Sequence, residues 1–242
     1  MKIAGITRIR NESEIIQNTL DHVAKLVDDI FVYDDCSTDN TVNICKAHSA
    51  VHTVLCGTSW ASDPVGRKNA EGNLRTQILL EAQKYDYDWI YYFDADEYAD
   101  FDGIDFTANA YKLRLFDFYI TPEDVNKKYY ERQWMGREYR DILMLFRNVP
   151  NTKFGERIPI LSFASKTIVC AGYVKHYGKA ISIEEWERTC DYYINHRGGD
   201  LLPEYTNKWI ERKGKAVHTK SDFGNKLIKW EQRFEFEHIH KL

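Results

Sequence analysis

The chain has 242 residues, of which 43% are hydrophobic and 29% charged, enough for one large domain or for one domain with a smaller appendage. Its 33 Lys and Arg against 37 Asp and Glu give a net charge of −4, which argues against a nucleic-acid binder built on basic excess. The five cysteines are odd in number, widely spaced and without a CxxC pair, a pattern that fits neither a disulfide framework nor a zinc knuckle.

The opening MKIAGITRIRNE lacks a signal-peptide pattern, and no apolar run reaches the length of a membrane span. Reduced thiols, a cytoplasmic location and at most a peripheral membrane contact are the expectation. Lys2 to Thr7 reads as a short buried strand, and Ser13 can cap a helix running to about Val27, with Ile16, Leu20, Val23 and Val27 at helical spacing. Asp29 to Tyr33 is a second strand that stops at Asp34-Asp35, and the turn Cys36–Asn40 leads into a short helix, Thr41–Ala47. Val51 to Leu55 is a third strand. After a polar loop, a helix is expected from about Ala70 to Lys84, then a fourth strand from Trp89 to Phe93.

Four strands separated by helices imply an α/β fold with a mostly parallel, doubly wound sheet. Right-handed crossovers put the C-terminal ends of such strands along one edge, where ligands bind. Asp34 and Asp94 therefore both fall at that edge. Beyond residue 103 the alternation is lost, although Tyr111–Ile120, Ile142–Phe146 and Thr167–Val174 read as strands and Glu184–His196 as an amphipathic helix. No repeat or linker is visible. One domain, 1–242, is expected, with a donor half (1–100), an acceptor half (101–200) and a helical C-terminal extension (201–242).

Chemistry concentrates in two segments. Asp94-Ala95-Asp96-Glu97 directly follows the strand WIYYF. In extended backbone the carboxylates at i and i+2 share a side, which would give Mg²⁺ or Mn²⁺ a hard oxygen site able to bridge a diphosphate. In Asp34-Asp35-Cys36-Ser37-Thr38-Asp39-Asn40-Thr41, the carboxylates can hold a ribose hydroxyl or a uracil edge, while Ser37, Thr38 or Asp39 can cap the next helix.

Taken in order, IAGITRIRNESEIIQNTLDHV, VYDDCSTDNT and DWIYYFDADE resemble the GT-A family-2 glycosyltransferases. The resemblance covers about residues 2–100. It implies the Rossmann-like GT-A sheet, a nucleotide-sugar donor (UDP being common in the family), Mn²⁺ or Mg²⁺, and transfer to an acceptor hydroxyl with inversion. It places Thr7, Arg8, Asn11, Glu12, Asp34, Asp35, Asp94 and Ala95 against the donor and Asp96, with Asp94, on the metal. Arg75 stands where the family often has a basic donor contact. MLFRN at 144–148 and Phe154 resemble the segment before the acceptor site, but Pro159-Ile160 occupy the place of the usual His-Glu pair. Glu156 is then the nearest candidate for the catalytic base and Asp141 the runner-up. His176, in a similar His-Tyr pair before a serine-headed helix, is implied as a metal ligand or diphosphate partner.

Trp60, Trp134 and Tyr139 are candidate sugar-stacking residues or core, and Arg67 and Lys68 are basic groups near the diphosphate or simply solvated. In the tail, Leu227, Trp230 and Phe234 share a helical face that can pack on its own domain, form a homodimer or touch a membrane or partner. The acceptor is expected to be a glycan or glycoconjugate. Two other classes share the sheet: a catalytically silent nucleotide-sugar-binding module, and a metal-dependent nucleotidyltransferase, against which stands the lack of a Gly-rich phosphate loop near the N-terminus.

Overall fold

The computed structural model describes residues 1–61, 64–155, 157–163, 167–197 and 203–236. The chain divides into two compact units, Met1–Ala61 with Gly66–Arg114 and Asp141–Val174, and Ser62–Val65 with Leu115–Arg140 and Lys175–Leu242.

The first unit carries the α/β alternation as β1 (Ile3–Ile9), α1 (Ile16–Val23), β2 (Asp29–Asp34), α2 (Thr41–Ala47), β3 (Val51–Cys56), α3 (Pro64–Ala82) and β4 (Trp89–Tyr92). After them come β5 (Glu97–Asp100), β6 (Ala110–Phe118), β7 (Trp134–Arg147), β8 (Lys153–Phe154), β9 (Pro159–Ile160) and β10 (Ile168–His176). The sheet order is β3-β2-β1-β4-β7-β6-β10-β5, with β6, β7 and β10 entering through the parts that belong to this unit, and β8-β9 form a separate ladder. Strands β1 to β4 run parallel, and β7 is antiparallel to β4.

From β1 the chain steps outward to β2 and β3, then returns to β4 on the other side of β1. That reversal opens a crevice beyond the C-terminal ends of β1 and β4, because the two crossovers leave in opposite directions.

Pleating sends alternate residues of β1 to opposite faces. Ala4 and Ile6 join Ile78, Leu79 and Ala82 of α3 in the buried cluster. Gly5 points the other way, where a Cβ would lie 3.2 Å from Val27 and 3.3 Å from Phe93. A glycine there lets the segment that ends α1 come close, and α1 buries Ile16, Leu20 and Val23. Helices thus cover both faces, as a doubly wound sheet requires.

Several expected boundaries move. The first helix starts at Ile16, not Ser13, and ends at Val23, with no side-chain cap at Ile15. Ser13 instead donates its backbone N–H to Asp39 at 3.1 Å, so the segment before the helix is spent on gripping the next turn. Helix α3 begins at Pro64, a proline at the first turn where its missing N–H is harmless. Strand β7 runs over 14 residues, far past the expected 142–146.

In the second unit α4 (Ile183–Tyr192) is capped by Ser182, whose Oγ accepts from the Glu185 N–H at 3.0 Å. Trp186 and Cys190 pack there with Trp209 of α5 (Pro203–Arg212), and Tyr193 stacks on Trp209 at 4.3 Å. The expected helical stripe of the tail is replaced by β11 (Ile228–Lys229), paired with β7, and a 3-10 turn, Trp230–Phe236. Trp230 packs against Phe116 and Phe118, while Phe234 stays exposed beside Arg233. Strand pairing wins because β7 offers an open edge that takes up the backbone groups of Ile228 and Lys229. Among the described residues, no helix is long and apolar enough to cross a membrane, and all five thiols are free.

Candidate active site

At the ends of β1 and β2 two motif segments are stitched together. Asn11 and Cys36 both take left-handed backbone, with φ of 55° and 59°. The Asn11 N–H donates to Ser37 Oγ at 2.9 Å, and Asn11 Oδ1 accepts from the Thr38 N–H at 2.7 Å. The Glu12 N–H donates to Thr41 Oγ1 at 2.8 Å. Asp39 accepts from Ser13 and Thr41, and those bonds lower its pKa although burial opposes them. The polar residues of both motifs therefore fix loop geometry, Asn11, Glu12, Ser37 and Thr38 included.

Asp34 and Asp35 are buried behind these loops. Asp34 Oδ2 accepts the Ser37 N–H at 3.0 Å, while its Oδ1 and Thr7 Oγ1 are buried without a hydrogen-bond partner among the described residues. Such orphaned polar atoms are costly unless a ligand or water completes them. Arg8 pairs with Asp35 and, with Tyr33, Thr58, Ser59, Trp60 and Leu74, lines a cleft of about 280 Å³. The Arg10 guanidinium lies 3.8 Å over the Trp60 ring.

The Asp94-Ala95-Asp96 segment is not extended, as the sequence suggested. It makes a tight turn between β4 and β5, closed by the Glu97 N–H on the Asp94 carbonyl at 3.1 Å. The buried Glu97 carboxylate accepts the Asp94 N–H at 2.9 Å and pins the turn from within.

Asp94 Oδ1 accepts from Tyr92 and, at 3.3 Å, from Arg75. Burial and the Asp94 charge raise the Tyr92 pKa far above its usual value, so the phenol is a constant donor. Arg75 is buried with its Nε on Tyr92 at 2.6 Å and Nη1 on Glu71 at 2.9 Å. Burial opposes its charge, yet Tyr92, Asp94 and Glu71 together raise its pKa.

Sequence reasoning picked out Arg75 but missed Glu71, which joins it to Arg8 at 3.9 Å and Arg157 at 3.6 Å. The signal that could have found Glu71 is its spacing four residues before Arg75 on one helix. Arg157 carries no local signal. Its side chain is 60% exposed, and Asp94 and then Glu71 raise its pKa against burial.

His176 lies in the second unit, with Nδ1 2.6 Å from Asp117. Asp117 also accepts from Lys179 at 2.8 Å and Arg140 at 2.6 Å. Although burial opposes it, Lys179 and then His176 and Arg140 hold its carboxyl well below the usual carboxylate range.

A depressed folded pKa means stability that is complete above the unfolded value, about 3.9, and lost as pH falls below it. Asp117→Asn is expected to cost about 3 kcal/mol at neutral pH by removing the carboxylate on which Lys179, Arg140 and His176 converge. That cost should shrink below about pH 4, where wild type loses the same contribution. Urea unfolding of both proteins at neutral and acid pH checks this; a constant gap would contradict it.

Of the other expected residues, Glu156 lies outside the described residues, as do the side chains of Arg67 and Lys68. Asp141 sits on β7 in the first unit with Oδ1 buried and without a hydrogen-bond partner among the described residues. Tyr139 is core, packed 5.5 Å from Phe116, and Trp134 is half-buried with Lys229 5.6 Å over its ring. Among the described residues no three His, Cys, Asp or Glu side chains gather as a complete metal shell.

A model of glycosyl transferase family 2 matches residues 6–164, more than half of the chain and the whole of the crevice just described. The chain belongs to glycosyl transferase family 2.

Uncharacterized proteins of Mycobacterium bovis and Mycobacterium tuberculosis are 44% identical to it over 55 residues, 23% of this chain and 14% of each relative's length. Among solved structures, S. aureus TarS 1–349 is similar over 87% of this chain and 69% of that one, at 15% identity and a TM-score of 0.43. Mannosyl-3-phosphoglycerate synthase from Rubrobacter xylanophilus is similar over 52% and 42%, at 19% identity and a TM-score of 0.33. Glucosyl-3-phosphoglycerate synthase from Mycobacterium tuberculosis, solved with Mg²⁺ and uridine diphosphate, is similar over 40% and 34%, at 21% identity and a TM-score of 0.29.

Proposed function

We propose that this glycosyltransferase moves a sugar from a nucleoside-diphosphate donor to an acceptor hydroxyl of a glycan or glycoconjugate, with inversion and with a divalent cation at Asp94 and Asp96. The observation that carries this reading is the Asp94–Asp96 turn at the crevice edge, where Asp94 is fixed by Tyr92 and Arg75.

A bound Mg²⁺ or Mn²⁺ would neutralise the charge that develops on the departing diphosphate. The chain's own residues do the rest. Tyr92 and Arg75 hold one Asp94 oxygen and so fix the carboxylate's direction. Asp34, with a buried unpartnered oxygen, accepts a hydrogen bond from the nucleoside, and Thr7 Oγ1 supplies a second polar contact. Arg8 and Asp35 line the cleft beside them, with Asn11 and Glu12 acting through the loop. Arg157, exposed and tethered to Glu71, can turn to the phosphates.

A carboxylate takes the acceptor proton, and the candidates are Glu156 and Asp141. His176, whose Nδ1 faces Asp117 within the second unit, would use its other ring nitrogen for the metal-ligand or phosphate role that the family resemblance implies. UDP donors come first because family members commonly use them.

The test is a thermal-shift panel of nucleotide sugars with and without Mn²⁺. A ligand at a hundred times its dissociation constant adds about 2.7 kcal/mol of stability. A shift with a UDP-sugar that chelator abolishes is expected. No shift with any nucleotide sugar would overturn the donor reading.

A further inference from the structure

A second cleft lies wholly within the second unit, about 450 Å³ in volume and bordered by Tyr130, Trp230, Lys127, Lys175, Glu131 and Glu231. Small-molecule sites run from about 300 to 1,000 Å³, so its size is that of a binding site.

Its border is tied down from several sides. Tyr130 stands in a 3-10 turn, Tyr129–Glu131, whose buried Tyr129 packs edge-on against Tyr177 at 5.4 Å. The Glu131 carboxylate accepts the Lys128 N–H at 3.1 Å and closes that turn. Arg132, also at the border, is buried and fixes backbone, with Nε on the Ala180 carbonyl at 2.7 Å and Nη1 on the Asp124 carbonyl at 2.6 Å. The tail is joined to the same stretch. The Trp230 N–H donates to the Gln133 carbonyl at 2.9 Å, and the indole packs on Phe116 and Phe118. Lys175 lies 5.0 Å over the indole ring. Arg233, 4.5 Å from that ring, and Lys128, 5.7 Å from the Tyr130 ring, are not part of the border.

The side chains at the border select a chemistry. Two lysines are balanced by two glutamates, and Arg132 is matched by Asp124 at 3.5 Å, so no net charge draws an ion in. Among the described residues, Lys127, Glu231 and the Gln133 amide form no ion pair and no side-chain hydrogen bond. An ammonium, a carboxylate and an amide together offer both donors and acceptors. A polyhydroxylated, uncharged ligand uses both, because each hydroxyl donates one hydrogen bond and accepts others. The Trp230 ring and the Tyr130 ring, 37% exposed, add flat apolar surface with a polar tip, which suits the C–H face of a sugar. An apolar ligand would strand the polar groups, and a phosphorylated one would meet two carboxylates.

We propose that this cleft binds a neutral saccharide, namely uncharged sugar units of the acceptor glycan. The acceptor assignment rests on the transferase reading above, whereas saccharide binding by the cleft does not. The same hydroxyl chemistry could come from the donor's sugar.

The experiment separates the two sources. The whole protein would be applied to an array of neutral and acidic oligosaccharides, and the strongest neutral binder titrated calorimetrically beside UDP and UDP-glucose, each with Mn²⁺. Wild type should bind neutral oligosaccharides with little dependence on salt. The Tyr130→Ala/Gln133→Ala variant changes two exposed side chains, and a melting curve checks that it folds. It should bind about tenfold more weakly, roughly 1.4 kcal/mol, and keep its affinity for UDP and UDP-glucose. Glu231→Ala, also at an exposed position, should weaken the same binding from the tail. An array on which no neutral oligosaccharide binds, or only acidic ones do, would overturn the site. So would variants that bind as well as wild type. A double variant that keeps UDP but loses UDP-glucose affinity would assign the cleft to the donor's sugar and overturn the acceptor assignment. If UDP with Mn²⁺ failed to bind wild type while a neutral oligosaccharide still did, the donor reading would fall and the cleft would stand.

Discussion

Asp96→Ala is expected to lower sugar transfer by about 10³-fold or more, roughly 4 kcal/mol in the barrier. On the proposed reading the two carboxylates would hold the cation that offsets the charge of the departing diphosphate. The comparison that gives this force is Asp94→Ala, because Asp94 has a second task that hydrogen bonds define. Tyr92 and Arg75 both end on its Oδ1, so removing it leaves a buried phenol and a buried guanidinium short of a partner. Asp94→Ala should therefore lose both activity and stability, the latter by about 2–3 kcal/mol. Initial rates with a UDP-sugar across Mn²⁺ concentrations, beside melting curves, read the two effects separately. An Asp96→Ala protein with normal turnover would sink the metal assignment.

Arg75→Leu is expected to be the most damaging single change to the first unit. Arg75 is 2% exposed and joins Glu71, Tyr92 and Asp94, so an apolar replacement takes the nearest cation from two carboxylates and leaves Glu71 only its longer pairs to Arg157 and Arg8. Breaking a buried pair from one side costs about 3–5 kcal/mol, mostly the penalty of the charge left behind. For a chain of this size each kcal/mol moves the melting point about 2–4 °C, so a fall on the order of 10 °C should be seen. Because much of the cost is the stranded Glu71 charge, adding Glu71→Gln should restore part of the stability. On the proposed reading it should not restore donor affinity, since Asp94 would still lack Arg75. A double variant no more stable than Arg75→Leu would show that the network is not coupled through Glu71.

Much of this was legible in the chain itself. The buried strands WIYYF and DIFVY, the acidic residues that end them and the intervening helices follow local periodicities of two and 3.6. Those periods depend only on backbone geometry, so the sheet's first four strands and the positions of Asp34 and Asp94 at one edge could be read directly. Family membership rests on the same segments.

What folding alone decided lies between residues far apart in the chain. Asp94 and Asp96 share a turn, not a pleat, because the Glu97 N–H closes it and the Glu97 carboxylate pins it. Glu71 and Arg157 meet across 86 positions, a distance over which no pattern in the sequence constrains a pair. The tail joins β7 as a strand because a sheet edge was open there. Asp117 gathers Arg140, His176 and Lys179 from β6, β7, β10 and the turn that follows it. Local spacing determined which residues could do chemistry in this protein; long-range pairing, where burial makes charge expensive unless matched, decided which of them stand together.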